Sequence, residues 1–177
     1  MSVRIVLPET KDLPRLVEIE RRCFPDFPWT WEEFLRTFHM RGMSGTALEE
    51  IPDAPLLSWS KPTIFGYMFC RSMKNEFSIC NLAIDPNHQR KGYGTILVDR
   101  LKERLRRGTR SKISAYVTER NLKAQLFFRS RGFHWVETKH HCWTTCEDDA
   151  YVMEFHKLMT PKNRLFRFGG FANAADV

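Results

Sequence analysis

The stretch Leu82-Ala83-Ile84-Asp85-Pro86-Asn87-His88-Gln89-Arg90-Lys91-Gly92-Tyr93-Gly94-Thr95 decides how the chain is read. An apolar run ends at a proline, a basic loop carries two glycines two residues apart, and a helical pattern begins at once. Glycine lets a backbone approach a ligand closely, neighbouring N–H groups point outward together, and a helix N-terminus adds partial positive charge. Arg90 and Lys91 add full charges at the rim. The stretch therefore predicts an anion cradle on the edge of a buried strand. A lone Gly-x-Gly would suit an ordinary strand–turn–helix connection equally well, so the surrounding sequence carries the decision.

Upstream, β-branched Ser2–Leu7 reads as a strand. Leu13, Leu16, Val17, Glu20 and Phe24 share one face of a helix with Thr10 as its expected N-cap. Two prolines in Cys23–Trp29 stop that helix, and Thr30 with Glu33 forms a capping box for a second one, Trp31–His39. Thr46–Glu50 is a candidate short strand and Ile51–Lys61 an expected surface insertion. Thr63–Ser72 and Glu76–Asp85 have hairpin spacing. Downstream come a helix with Leu97, Leu101 and Leu105, a strand Ile113–Thr118, a helix Asn121–Arg131, and strands Phe133–Thr138 and Ala150–His156. This order predicts one α/β (α+β) domain, 1–158, around a single mixed sheet, followed by a basic, loosely ordered tail, 159–177.

The 177 residues carry 28 Lys+Arg against 21 Asp+Glu, a net charge of +7 that means an anionic ligand, a nucleic acid or nothing. Composition excludes disorder for the bulk of the chain, and no apolar run nears the ~20 residues that span a bilayer. No secretory signal is evident, and the five cysteines suggest no disulfide framework. A cytoplasmic protein without membrane attachment is expected. His140, His141, Cys142 and Cys146 could close a tetrahedral zinc site, but the spacing is loose and a second Cys pair is missing, so no metal is assigned. The run Arg104–Lys112 falls at a helix C-terminus, where cations favour the dipole; a solvated role is preferred there over nucleic-acid binding.

Gln89-Arg90-Lys91-Gly92-Tyr93-Gly94 resembles the Q/R-x-x-G-x-G/A acetyl-CoA signature of the GNAT N-acetyltransferase superfamily. Asn121-(x2)-Ala124-(x2)-Phe127-Phe128-(x3)-Gly132-Phe133 resembles its second signature. Ile19-Glu20-(x2)-Cys23-Phe24 with Pro28-Trp29, Asn81-Leu82-Ala83-Ile84, and Glu147–Met153 resemble the branch that acetylates ribosomal-protein alanine α-amines. The resemblance implies a mostly antiparallel sheet of six to seven strands, splayed at the cofactor and flanked by about four helices. It implies acetyl-CoA as cofactor, with the Leu82–Ala83–Ile84 backbone on the pantetheine arm and the Gln89, Arg90, Lys91, Gly92, Tyr93, Gly94, Thr95 loop on the pyrophosphate. Asn121 would bond the pantetheine, and Phe127 and Phe128 would flank the thioester; plain core packing is the alternative for at least one of these rings. Trp29 and Trp143, with Trp31, would wall the acceptor site.

Two positions depart from that pattern. The branch's general-base Glu is replaced by Tyr116, and its general-acid Tyr by Phe128, which has no proton to give. The base Glu of histone-type relatives falls near Ser78. An ordinary phenol, with pKa near ~10, is a weak base, yet an α-amine of pKa ~7.7–8.0 is already partly neutral at pH 7. Tyr116 working through a water is the assigned catalytic residue; His134, Glu137, His140, His141, Glu76 and Glu119 are the alternatives. The expected reaction is acetyl transfer to an amine, foremost a protein N-terminus. A small amine or polyamine, or a non-catalytic CoA- or nucleic-acid-binding module, are the competing readings. Oligomeric state is not assigned.

Overall fold

The computed structural model describes residues 2–51, 62–140 and 148–157. Seven strands form one sheet in the order β1-β2-β3-β4-β5-β7-β6: β1 Ser2–Val6, β2 Met43–Ile51, β3 Thr63–Ser72, β4 Glu76–Ile84, β5 Lys112–Thr118, β6 His134–Lys139 and β7 Ala150–His156. Every neighbouring pair is antiparallel except β4 with β5. Helices α1 (Leu13–Cys23) and α2 (Trp31–His39) cover one face, and α3 (Tyr93–Arg107) and α4 (Leu122–Ser130) the other. The α/β fold with a mostly antiparallel seven-stranded sheet and four helices agrees with the sequence-based expectation.

Alternation along the strands divides the apolar residues between the two faces. Phe65, Met68, Leu97, Leu101, Ile113, Ala115 and Phe133 pack together under α3 and α4. Leu16, Ile19, Phe34, Tyr67, Phe69 and Ala83 pack under α1 and α2. Thr30 caps α2 as expected: its hydroxyl accepts from the Glu33 N–H at 3.2 Å, and the Glu33 carboxylate accepts from the Thr30 N–H at 2.7 Å. Thr10 is not a cap. It opens a 3-10 turn, Thr10–Asp12, in which Asp12 accepts from the Glu9 N–H at 2.8 Å. The helix then starts at Leu13 because Pro14, lacking an N–H, belongs in a first turn.

No helix among the described residues is long and apolar enough to cross a membrane. The expected insertion (beyond Ile51), the cluster His141–Cys146 with Trp143, and the tail 159–177 lie outside the described residues. Within them, no three His, Cys, Asp or Glu side chains gather to hold a metal.

Candidate active site

β4 and β5 are paired only from Glu76↔Lys112 to Ile79↔Ala115. Beyond that point β4 stays on β3 as far as Gly66↔Ile84, and β5 stays on β7 as far as Thr118↔Ala150, but the two part from each other. A V-shaped crevice opens between Asn81–Ile84 and Tyr116–Thr118. It begins where Phe69 faces Asn81 and Cys70 faces Ile79, leaving Cys80 as the extra residue of a bulge, a feature that bends its strand. The Asp85 N–H donates to the Phe65 carbonyl at 2.7 Å. The alternation of an antiparallel ladder therefore turns the backbone groups of Leu82 and Ile84 away from β3 and into the crevice. The Ile84 carbonyl is already engaged there, accepting from Gln89 Nε2 at 2.8 Å and from the Cys23 thiol at 3.2 Å. Burial pushes that thiol's pKa up to about 11, so it stays protonated and donates.

The crevice runs into the basic loop. Arg90 (φ 66°) and Gly92 (φ 85°) are both left-handed, and alternating backbone of this kind turns successive N–H groups toward one concavity. Gly92 caps α3 without a side-chain bond, and the Ile96 N–H is the first to reach back, to the Gly92 carbonyl at 3.2 Å. The N–H groups of Tyr93, Gly94 and Thr95 thus have no helical acceptor. A Cβ on Gly94 would lie 3.3 Å from the Phe127 ring, so glycine lets α3 and α4 meet there. The loop is anchored from behind by buried Asp85, which pairs with Arg15 at 2.9 Å and Arg22 at 2.7 Å and accepts from the Asn87 N–H at 3.0 Å.

On the α1–α2 side, the Glu20 carboxylate is 1% exposed. It accepts from the Trp29 N–H and Asn81 Nδ2, each at 3.0 Å, and from the Tyr67 hydroxyl. One side chain thereby ties the loop after α1 to the strand that edges the crevice. Burial raises the Glu20 pKa, against the lowering effect of the three donors. Burial, then the Glu20 charge, hold the Tyr67 phenol well above its ordinary value. Trp29 packs edge-on against Phe34 at 5.4 Å.

Tyr116 is the first residue of β5 past the last β4–β5 pair and is 39% exposed. Its neighbours Ala115 and Val117 face α3, so its ring lies on the α1–α2 side, with Lys139 Nζ 5.6 Å from the ring centre. Glu76 lies at the closed end of the V, where it pairs with Lys112 at 3.3 Å. His140 Nδ1 lies 2.7 Å from Asp149 Oδ2 at the foot of the β6–β7 connection, and the Glu119 N–H donates to the Asp149 carbonyl nearby. His134 is exposed at the start of β6, and Glu137 lies opposite Val152. In α4, Asn121 Oδ1 caps the helix by accepting from the Ala124 N–H at 3.0 Å, leaving its amide N–H groups for another partner. Phe127 is half-buried beside Gly94, whereas Phe128 is buried against Phe133 with ring centres 5.1 Å apart.

Glu20, Tyr67 and the Asp85–Arg15–Arg22 cluster escaped sequence reasoning as parts of the site. One signal was present: Glu20 is the acidic residue on an otherwise apolar helix face.

The acetyltransferase (GNAT) family profile matches residues 13–133. The chain is 26% identical over 147 residues to [ribosomal protein bS18]-alanine N-acetyltransferase of Escherichia coli strain K12, covering 82% of this chain and 91% of that protein. The crystal structure of the ribosomal-protein-S18-alanine N-acetyltransferase from Escherichia coli superposes with a TM-score of 0.73 at 24% identity, over 92% of this chain and 98% of the other. Arabidopsis thaliana NAA60 in complex with a bisubstrate analogue gives 0.71 at 15% identity, over 88% and 98%. A sheet that parts beside a left-handed glycine loop, and a profile match across most of the chain, agree: the protein belongs to the acetyltransferase (GNAT) family.

Proposed function

We propose that this enzyme transfers an acetyl group from acetyl-CoA to the α-amino group of a protein N-terminus. The parting of β4 from β5 beside the Gln89–Thr95 loop is the observation that carries the reading. It offers backbone groups to an amide-bearing arm and, one turn further, unpaired N–H groups to phosphates. Leu82 and Ile84 would bond the pantetheine, assisted by the Asn121 amide. The Gln89–Thr95 loop would hold the pyrophosphate with Arg90 and Lys91 at its rim. Phe127 would bound the thioester end, with Phe128 behind it.

Acceptor and thioester would meet at the mouth of the V, between Tyr116 and the loop that Glu20 fastens through Trp29. The amine nitrogen would attack the thioester carbonyl, the C–S bond would break with CoA leaving as a thiolate that takes a proton from solvent, and the ammonium proton would have to leave. Tyr116 would orient a water that receives it. An α-amine of pKa ~7.7–8.0 is partly neutral before it binds, while a lysine of pKa ~10.4 is neutral below a part per thousand at pH 7. A site with a phenol where the resembling family pattern has a carboxylate suits the former. Proton transfer by a positioned group is worth ~10²–10⁴-fold, and alignment of the reactants supplies much of the remainder.

Incubation with acetyl-CoA and a panel of N-terminal peptides, read by mass spectrometry, should add one acetyl group at the α-amine. Mass appearing at lysine alone would overturn the acceptor assignment. Turnover with small amines or polyamines but no peptide, read by free-thiol release, would move the activity to the competing acceptor class.

A further inference from the structure

The end of the molecule opposite the crevice gathers cations from separate segments. The β3–β4 turn contributes Lys74, the C-terminal half of α3 contributes Arg104 and Arg106, the α3–β5 connection Arg110, the turn before β2 Arg41, and the end of β7 Lys157. Main-chain and side-chain bonds hold these segments together: Arg110 Nε donates to the Met73 carbonyl at 2.8 Å, the Ser111 N–H to Asn75 at 2.9 Å, the Lys157 N–H to Ser111 at 2.8 Å, and the Ser72 N–H to Gly42 at 2.7 Å.

Among the described residues, Glu76, Glu103 and Glu154 at this end are already paired. Lys112 holds Glu76 at 3.3 Å and Glu154 at 2.5 Å, and Arg107 holds Glu103 at 2.5 Å. None of the six cations makes an ion pair among the described residues. The α3 dipole accounts for Arg104 and Arg106 but not for the four contributed by turns and by β7. Arg104 and Arg110 both stack on Phe77: their guanidinium carbons lie 4.8 and 4.6 Å from its ring centre. Stacking fixes the guanidinium planes without neutralising them, which reduces the ordering cost of meeting a phosphate.

We infer that this basic end is a docking surface for the phosphodiester backbone of a nucleic acid, separate from the acetyl-transfer crevice. Among the described residues, exposed large apolar side chains here are Met40 and Met73, too few to seat the surface in a bilayer.

Fluorescence anisotropy with labelled single-stranded RNA and matched DNA of about 20 nucleotides tests the surface. Saturating CoA keeps the Gln89–Thr95 loop out of the measurement. Affinity should fall steeply between ~50 and ~200 mM salt, with a log–log slope of roughly −2 to −4. Tighter binding to RNA or to DNA names the source of the backbone. Lys74→Glu with Arg106→Glu, two exposed positions outside the Phe77 contact, should weaken binding at least ~10-fold and flatten the slope by about one per charge removed. Thermal unfolding of that variant should match the parent, and acetylation of a free peptide should be unchanged. A flat salt response, binding that CoA abolishes, phosphatidylserine vesicles bound as tightly as nucleic acid, or a double variant that binds like the parent would each overturn the assignment.

Discussion

Glu20 shows how one buried carboxylate joins stability to the site. Its three donors come from three segments, so Glu20→Ala leaves the Trp29 N–H, Asn81 Nδ2 and Tyr67 hydroxyl without their acceptor. Each unmet buried donor costs roughly 1–3 kcal/mol, and the urea midpoint should fall with little change in slope. The pH dependence has a definite sign. The folded state raises the Glu20 pKa above its ordinary 4.5, so the native protein keeps a proton that the unfolded chain has lost. That contribution is complete below the ordinary value and is lost as pH rises through the raised one. Melting temperatures of the parent should therefore decline over that window relative to those of Glu20→Gln. Tyr116 carries the second residue-scale expectation. Tyr116→Phe should lower kcat by about 10²-fold, the low end for a positioned proton-transfer group, while leaving the acetyl-CoA KM unchanged. Tyr116→Glu, with a carboxylate as proton acceptor, should raise kcat at neutral pH; no gain in steady-state assays would mean that proton removal does not limit the reaction.

Among the elements, legibility followed local chemistry. α2, β3 and β7 have the limits read from the sequence, because Thr30 and Glu33 close a cap on each other and because turn residues bound the strands. β2 is longer than its readable core Thr46–Glu50, since pairing with Phe69–Arg71 of β3 carries Met43–Gly45 into the sheet against weak strand propensity. The anion loop was legible from its glycines, but its second left-handed residue, Arg90, was not, because arginine carries no such signature. The crevice was hidden for a different reason: β4 keeps its apolar character through Cys80 while its pairing with β5 stops, and only a family resemblance anticipated that. Gly92 supports an element-scale expectation. A Cβ there meets nothing within 4 Å, so Gly92→Ala is strained by its φ of 85° alone. The substitution should cost about 1–2 kcal/mol of stability and raise the acetyl-CoA KM more than the peptide KM, as steady-state kinetics with each substrate varied would show.

Across the described residues, two groups of cations stand at opposite ends of the molecule. Arg90 and Lys91 stand at the loop that ends the crevice, and Arg41, Lys74, Arg104, Arg106, Arg110 and Lys157 stand at the opposite end. The sequence showed Arg104, Arg106 and Arg110 of that second group as one run. It hid the rest, because Arg41, Lys74 and Lys157 come together only when β2, the β3–β4 turn and β7 are laid side by side. Binding at the crevice should stabilise the entire domain, since the parted strands are continuous with both cores. CoA at 100 times its dissociation constant should add about 2.7 kcal/mol, read as a rise in melting temperature that grows with concentration; a melting temperature indifferent to CoA would contradict binding at this site.

The open half of the β4–β5 pair also bears on what happens between turnovers. The Leu82 and Ile84 amides have no strand partner on the crevice side, so hydrogen exchange there should be faster in the free protein than in the loaded one. The same two amides would then report how much acetyl donor is at hand: in this sheet, two positions of one strand act as a gauge of supply.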